Sequence, residues 1–320
     1  MWKKLRYLIE YVSVKALAVG IPRLPRKGCV VLGKVFGAVA FALDHRGRRV
    51  SIANIEAALG DEYSPEERYR IARESYQYFA RTMLDLFWAP RLTEAASARW
   101  VRLVGREHLE ALAGKPRVVV VAHVAGFEWS SLSCGLINLR GMTLTEAFKN
   151  PALDKVFTDL RSCTGQTIIT QEMSMLRMLR QVMKGRLVGM LIDLNLPPTQ
   201  AATVIDTFGL KMCATYLHAV LAQRAGARIV PVTAEVQADG SCDVEIHAPL
   251  EIREGAPGQE IAQQTWDFFE GRIRAKPERW MWAYKHWRFR PKGETRKYPF
   301  YANESGKFER LVKESRGNYE

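Results

Sequence analysis

Four consecutive valines, Val118 to Val121, preceded by Lys115-Pro116-Arg117, constrain the fold of this chain more than any other stretch. An apolar run that is β-branched throughout and too short for a helix reads as a strand buried on both faces, as in a parallel sheet. A break containing Gly126 follows, and Phe127 to Leu139 is long and apolar enough for a helix. His123 therefore sits where the strand ends and Glu128 in the first turn of the helix, at the edge where open α/β sheets bind ligands. On a single helix the two side chains would diverge by roughly 140°. Across a strand-to-helix turn they can face each other, the geometry of a general base and its orienting carboxylate. The same spacing also fits an acidic residue favoured at a helix N-terminus beside a histidine satisfied in a loop. The motif alone does not choose between these.

Downstream, strand and helix patterns alternate. Strands are predicted at Met142–Ala147, Gln166–Thr170, Leu187–Ile192, Thr203–Phe208, Arg228–Glu235 and Cys242–His247, with Asp193 at the carboxyl end of the third. Helices are predicted at Ala152–Cys163, Met173–Lys184, Cys213–Ala225 and Gln259–Ala275, with a loop over Leu194–Ala202. Upstream, Ser64-Pro65-Glu66-Glu67 is a capping box with proline at the first helical position. It opens a helix to about Trp88 whose apolar stripe reads as core packing.

The first 45 residues differ. Met1–Ile21 is a basic amphipathic helix candidate, and Gly28–Leu43 is apolar apart from Lys34. A spanning helix needs about twenty apolar residues, so basic flanks and aromatic anchors favour an interfacial or monotopic helix, with a core hairpin as the alternative. Gly33-x-x-x-Gly37 fits close helix packing. The division expected is residues 1–45 as membrane-associated helices, 46–300 as the catalytic domain and 301–320 as a polar tail. No small-residue cleavage site closes the basic start, so no cleavable signal peptide is expected.

Lys and Arg number 47 against 34 Asp and Glu, a net +13, which suits a phosphate-rich partner such as nucleic acid, an anionic membrane or a phosphorylated lipid. The five cysteines are scattered, without a Cys-x-x-Cys pair, and read as reduced and mostly buried. Glycine-rich nucleotide loops, His-Glu-x-x-His metal spacing and a Gly-x-Ser-x-Gly elbow are all missing from the sequence. A base with a nearby acid and no protein nucleophile suits direct attack of a substrate hydroxyl or amine on an activated acyl group. The segment Trp280 to Arg290 alternates aromatic and basic residues and admits three readings: an interface belt, a phosphate-binding rim or a stacking platform for single strands.

Several stretches together resemble the bacterial lipid A biosynthesis acyltransferases, the late lauroyl or myristoyl transferases within the glycerolipid acyltransferase superfamily. They are His123 to Trp129, Asn150-Pro151-x-Leu153-Asp154 with Arg161-x-x-x-Gly165, and the strand ending at Asp193. Phe208-Gly209, Ala225 to Pro231 and Pro277-Glu278-x-Trp280-x-Trp282 complete the series, in order over most of the chain. The resemblance implies an α/β fold with a mixed, mostly parallel sheet and helices on both faces. It implies an enzyme at the cytoplasmic face of a bacterial inner membrane, monotopic or single-pass, without a cofactor. The donor would be acyl carrier protein or acyl-CoA and the acceptor an anionic lipid hydroxyl. His123 would be the base, Glu128 its orienting acid, and Lys149, Arg161 and Asp193 would contact substrate. Glu146 stands where the family tends to carry arginine, so a local cation would come from Lys149 or Arg161. Acylation of another lysolipid or glycolipid, a non-catalytic lipid-binding relative, and a nucleic-acid-binding protein are the competing readings.

Overall fold

The computed structural model describes residues 2–137, 139, 141–170, 174–199 and 202–317. Helices α1 (Trp2–Gly20), α2 (Arg26–Leu43), α3 (His45–Leu59) and α4 (Pro65–Trp88) come first. Then α5 (Glu94–Trp100), β1 (Val101–Val104) and α6 (Arg106–Glu110) lead into the alternating part. That part begins β2 (Arg117–Val121), α7 (Phe127–Leu136), β3 (Gly141–Thr145), α8 (Pro151–Ser162), β4 (Thr167–Thr170), α9 (Ser174–Met183) and β5 (Leu187–Leu191). It continues with β6 (Ala202–Thr207), β7 (Leu210–Thr215), α10 (Leu217–Ala225), β8 (Arg228–Val236), β9 (Cys242–Ile246), α11 (Gly258–Ala275) and α12 (Gly306–Gly317).

Among the described residues, seven strands form one sheet in the order β1-β9-β8-β2-β5-β3-β4. Every pairing is parallel except β8 with β9. The valine strand β2 is central, and its residues alternate between two cores, as the period of two requires. Val118 and Val120 join Val188, Met190 and Ile229, beneath Met178 of α9, Leu221 of α10 and Trp266 of α11. Val119 joins Val230 on the opposite face, beneath Leu86 of α4, Leu132 of α7 and Leu160 of α8. The mixed, mostly parallel sheet with helices on both faces is thus observed.

Two elements differ from expectation. β1 adds to β9 at the edge of the sheet within a stretch that carries no clear strand signal. The helix expected from Cys213 starts only at Leu217, because Leu210–Thr215 pairs antiparallel with β6 across its whole length. Met212, Cys213 and Ala214 have no strong strand preference. The hairpin turn decides, with Phe208 and Gly209 both at positive φ (50° and 78°). Of the expected helix Met173–Lys184, Met173 lies outside the described residues, as do 200–201 of the expected loop and 318–320 of the tail. Within α9, Met178 is buried and Met183 exposed, so its methionines serve both core and surface. The tail contains α12, whose Phe308 is buried against Val204 and Cys213 of the β6–β7 hairpin.

Helix α2 packs on α4 through glycine. A Cβ on Gly37 of α2 would lie 2.3 Å from the Gln77 Cα of α4, and one on Gly33 2.9 Å from the Arg81 Cα. Gly37→Ala should therefore force the helices apart and cost about 1–3 kcal/mol. Gly271→Ala in α11, where an added Cβ meets nothing within 4 Å, should instead stabilise by about 1 kcal/mol. Urea midpoints of the two variants should move in opposite directions from wild type.

Candidate active site

The register of the parallel sheet delivers two side chains to one place. Val121 of β2 pairs with Leu191 of β5, and the Ile192 N–H donates to the Val121 carbonyl at 3.0 Å. His123 and Asp193 each lie two residues beyond those paired ends, at the carboxyl edge of the sheet. The His123 Nδ1–H donates to Asp193 Oδ1 at 2.8 Å, and the His123 backbone N–H donates to Oδ2 at 2.8 Å. A third donor, the Trp280 indole N–H, reaches Oδ2 at 2.8 Å. Asp193 is fully buried. Burial alone would raise its carboxyl, but the His123 charge and the hydrogen bonds from His123 and Trp280 hold it down at about 2. An ionised carboxylate can only accept, so the proton of a neutral His123 sits on Nδ1 and its lone pair on Nε2.

The turn after His123 is built to hold it. Gly126, at φ 82°, makes the left-handed step into α7, and its N–H donates to the Thr82 hydroxyl at 2.9 Å. The Ala125 N–H donates to the Arg279 carbonyl at 2.8 Å, and the Met281 N–H to the His123 carbonyl at 3.2 Å. Phe127 meets the imidazole edge-on, ring centres 4.9 Å apart. The aromatic residues of Pro277–Trp287 thus form the far wall of the site rather than a surface belt or stacking platform. Trp280, Trp282 and Trp287 are buried and pack around Phe208. His286 stacks on Trp280 at 3.9 Å, and burial pushes its imidazole down to about 4, so it is neutral at pH 7. The segment's tryptophans belong to a core layer while Arg288 is exposed, which removes the main support for nucleic-acid stacking.

The expected His123–Glu128 partnership needs correction. The Glu128 carboxylate takes Nη2 of Arg161 at 2.7 Å and Nε at 3.1 Å, across α7 and α8, and is itself buried. The carboxylate that holds His123 is Asp193. Asp193 in turn is not open to substrate, because all its contacts run inward and its side chain has no exposed area. Arg161 is charge-compensated by Glu128 with 17% of its side chain exposed, while Lys149 is exposed near the carboxyl end of β3. Register was the missing signal. From sequence both His123 and Asp193 stand at strand ends, but nothing local says that β2 and β5 are neighbours.

A base with a spare lone pair, near Ser75 and Thr82 hydroxyls that donate to the Ala72 and Tyr78 carbonyls, suits acyl transfer to an incoming hydroxyl. Burial pushes the thiols of Cys134 and Cys213 up to about 12, which removes them as nucleophiles. The cysteines are mostly buried as expected, with Cys163 exposed after the last turn of α8.

Residues 2–289 match the family model described as bacterial lipid A biosynthesis acyltransferase. The chain belongs to that family. The lipid A biosynthesis lauroyltransferase of Escherichia coli (strain K12) is 22% identical over 300 residues, spanning 92% of this chain and 95% of the relative. This acyltransferase therefore carries the family's sequence from α1 to the end of the tryptophan wall. Among its described residues, no group of three or more His, Cys, Asp or Glu side chains is arranged to hold a metal ion, and no single helix is long and apolar enough to cross a membrane.

Proposed function

We propose that this acyltransferase moves a fatty acyl chain from an acyl thioester, on acyl carrier protein or coenzyme A, to a hydroxyl of a lipid A precursor or related phosphoglycolipid. The observation that carries the reading is the Asp193–His123 contact at the carboxyl edge of the sheet. Nε2 of His123 takes the acceptor's proton as its oxygen attacks the thioester carbonyl, and then gives that proton to the departing thiolate. General-base help of this kind is worth about 10²–10⁴ in rate. The Glu128–Arg161 pair braces α7 against α8 beside this edge, and the exposed Lys149 is free to meet an anionic headgroup.

The reading includes a membrane-surface location. Helix α1 has no buried residue, and Trp2, Leu8, Ile9 and Val12 are more than half exposed. On α2, Val31 and Leu43 are exposed at 60% and 74%. Exposed apolar surface of this extent, flanked by Lys3, Lys4 and Arg6, suits an anionic bilayer face. The test is mass spectrometry of lipids from a strain lacking the gene, complemented with wild type or His123→Ala. Wild type should add one acyl chain to a single lipid species and His123→Ala none. Equal acylation by both would overturn the proposal.

A further inference from the structure

We propose that Arg279 is a further catalytic residue, its Nε–H donating to the oxyanion that forms on the thioester carbonyl. The inference rests on the acyl-transfer reading above and assigns a donor that the reading leaves open. Attack on a thioester places negative charge on the carbonyl oxygen, and a site must offer fixed donors where that charge appears. The turn carrying His123 has none to spare from 123 to 127. The His123 N–H goes to Asp193, that of Val124 to the Ala122 carbonyl and that of Ala125 to the Arg279 carbonyl. The N–H of Gly126 goes to Thr82, and that of Phe127 to the Val124 carbonyl. Within that turn the backbone leaves no donor, which turns attention to the side chains around His123.

A small cavity beside the imidazole is lined by Ser75, Thr82, His123, Phe127, Arg279 and Met281. Its hydroxyl protons are already committed, Ser75 to the Ala72 carbonyl at 3.0 Å and Thr82 to the Tyr78 carbonyl at 2.9 Å. Arg279 differs. Its Nη1 is held by Glu235 at 3.0 Å and its guanidinium lies over the Tyr78 ring at 5.6 Å. Its Nε is buried and, among the described residues, without a hydrogen-bond partner. The nearest carboxylate to that nitrogen, Glu278, is 3.8 Å away, beyond hydrogen-bond range. A buried donor left unpaired costs free energy in the resting protein and is repaid when an anion arrives. The backbone bond from Ala125 to Arg279 fixes the residue against the His123 turn, so donor and base move as one unit.

The step balances without another reactant. The acceptor oxygen bonds to the carbonyl carbon as its proton passes to His123 Nε2, and the oxyanion lies against Arg279 Nε–H. The carbon–sulfur bond then breaks, and the thiolate leaves with the proton from His123.

The experiment is steady-state acyl transfer by the full chain in mixed micelles, with acyl-carrier-protein or acyl-CoA thioester and an under-acylated lipid A precursor. Arg279→Met, which puts a methyl group where the Nε–H stood, should lower kcat on the order of 10²-fold with KM for donor little changed. Glu235→Gln, which removes the ion pair but keeps the Nε–H, should stay within about threefold of wild type. Arg279→Lys keeps the charge and loses the Nε–H, so it should fall with Arg279→Met, and it carries the test if that variant does not fold. Full activity in Arg279→Lys, or equal losses in Arg279→Met and Glu235→Gln, would overturn the role. His123→Ala in the same assay separates the two claims. If it is inactive while the Arg279 variants turn over normally, only this inference fails. If it turns over normally, the acyl-transfer reading fails first.

Discussion

Asp193→Asn should leave the fold in place and lower kcat by about 10³–10⁴-fold. The loss follows from which way an amide must sit. The Oδ2 position faces two donors, the His123 N–H and the Trp280 indole N–H, so the amide oxygen is held there. The amide nitrogen then faces His123 Nδ1, which must present its lone pair, and the ring proton moves to Nε2. In that tautomer the imidazole cannot accept a proton from the acceptor hydroxyl, and losses of this order accompany the wrong tautomer in other His–Asp sites. Glu128→Gln should cost less, because its carboxylate meets Arg161 and not the imidazole. Steady-state rates of the two variants give the comparison. A larger loss in Glu128→Gln than in Asp193→Asn would restore Glu128 as the orienting acid.

The same carboxylate sets an acid limit to stability. Asp193 is held at about 2 against an ordinary value of 3.8, so it favours the folded state fully above pH 3.8. That contribution is lost as pH falls from about 4 to about 2. Asp193→Asn, having nothing to protonate, should lack that part of the acid transition when melting temperatures are measured across this window.

Asp85→Ala should be the most destabilising single change outside the hydrophobic cores, by about 3–5 kcal/mol. Asp85 is fully buried in α4, where Arg26 of α2 meets it at 2.6 Å and the Trp129 indole N–H at 2.8 Å. Arg81 stands 3.9 Å away on the same helix. The two arginines also reach the β8–β9 turn, at the Gly240 and Gln237 carbonyls. Arg26 lies over the rings of both Trp88 and Trp129. Removing the carboxylate leaves two buried guanidinium groups facing each other with no counter-charge. Since Trp129 follows Glu128 on α7, this cluster also anchors the helix that starts at the active-site turn. Urea denaturation measures the loss. A change below about 1 kcal/mol would show that the arginines find other partners.

How far the sequence could be read divides along physical lines. Local signals were sufficient for the buried strand Val118–Val121, the capping box at Ser64 and the closeness implied by Gly33 and Gly37. Each depends on residues within one or two turns of each other. The site itself depends on pairing. His123 and Asp193 are 70 residues apart, and only the β2–β5 register brings them together. Glu128 does not meet His123, because proximity in sequence is not proximity in space. Residues five apart across a tight turn can face each other, but Arg161 from α8 claims the carboxylate instead. Trp280 to Trp287 misled for the opposite reason, since a dense aromatic segment reads as surface-active until the hairpin β6–β7 and α11 are seen to cover it. Asp85 and Arg26 were invisible as a pair, because buried ion pairs leave no periodic trace.

If His123, held by Asp193, is the base in direct acyl transfer, its imidazole acts in the chemical step itself. Rapid-quench single-turnover measurement on purified His123→Ala, with circular dichroism and melting temperature matched to wild type, isolates that step. The transfer rate should fall by about 10²–10⁴-fold. A rate within a few-fold of wild type would mean that another group takes the proton.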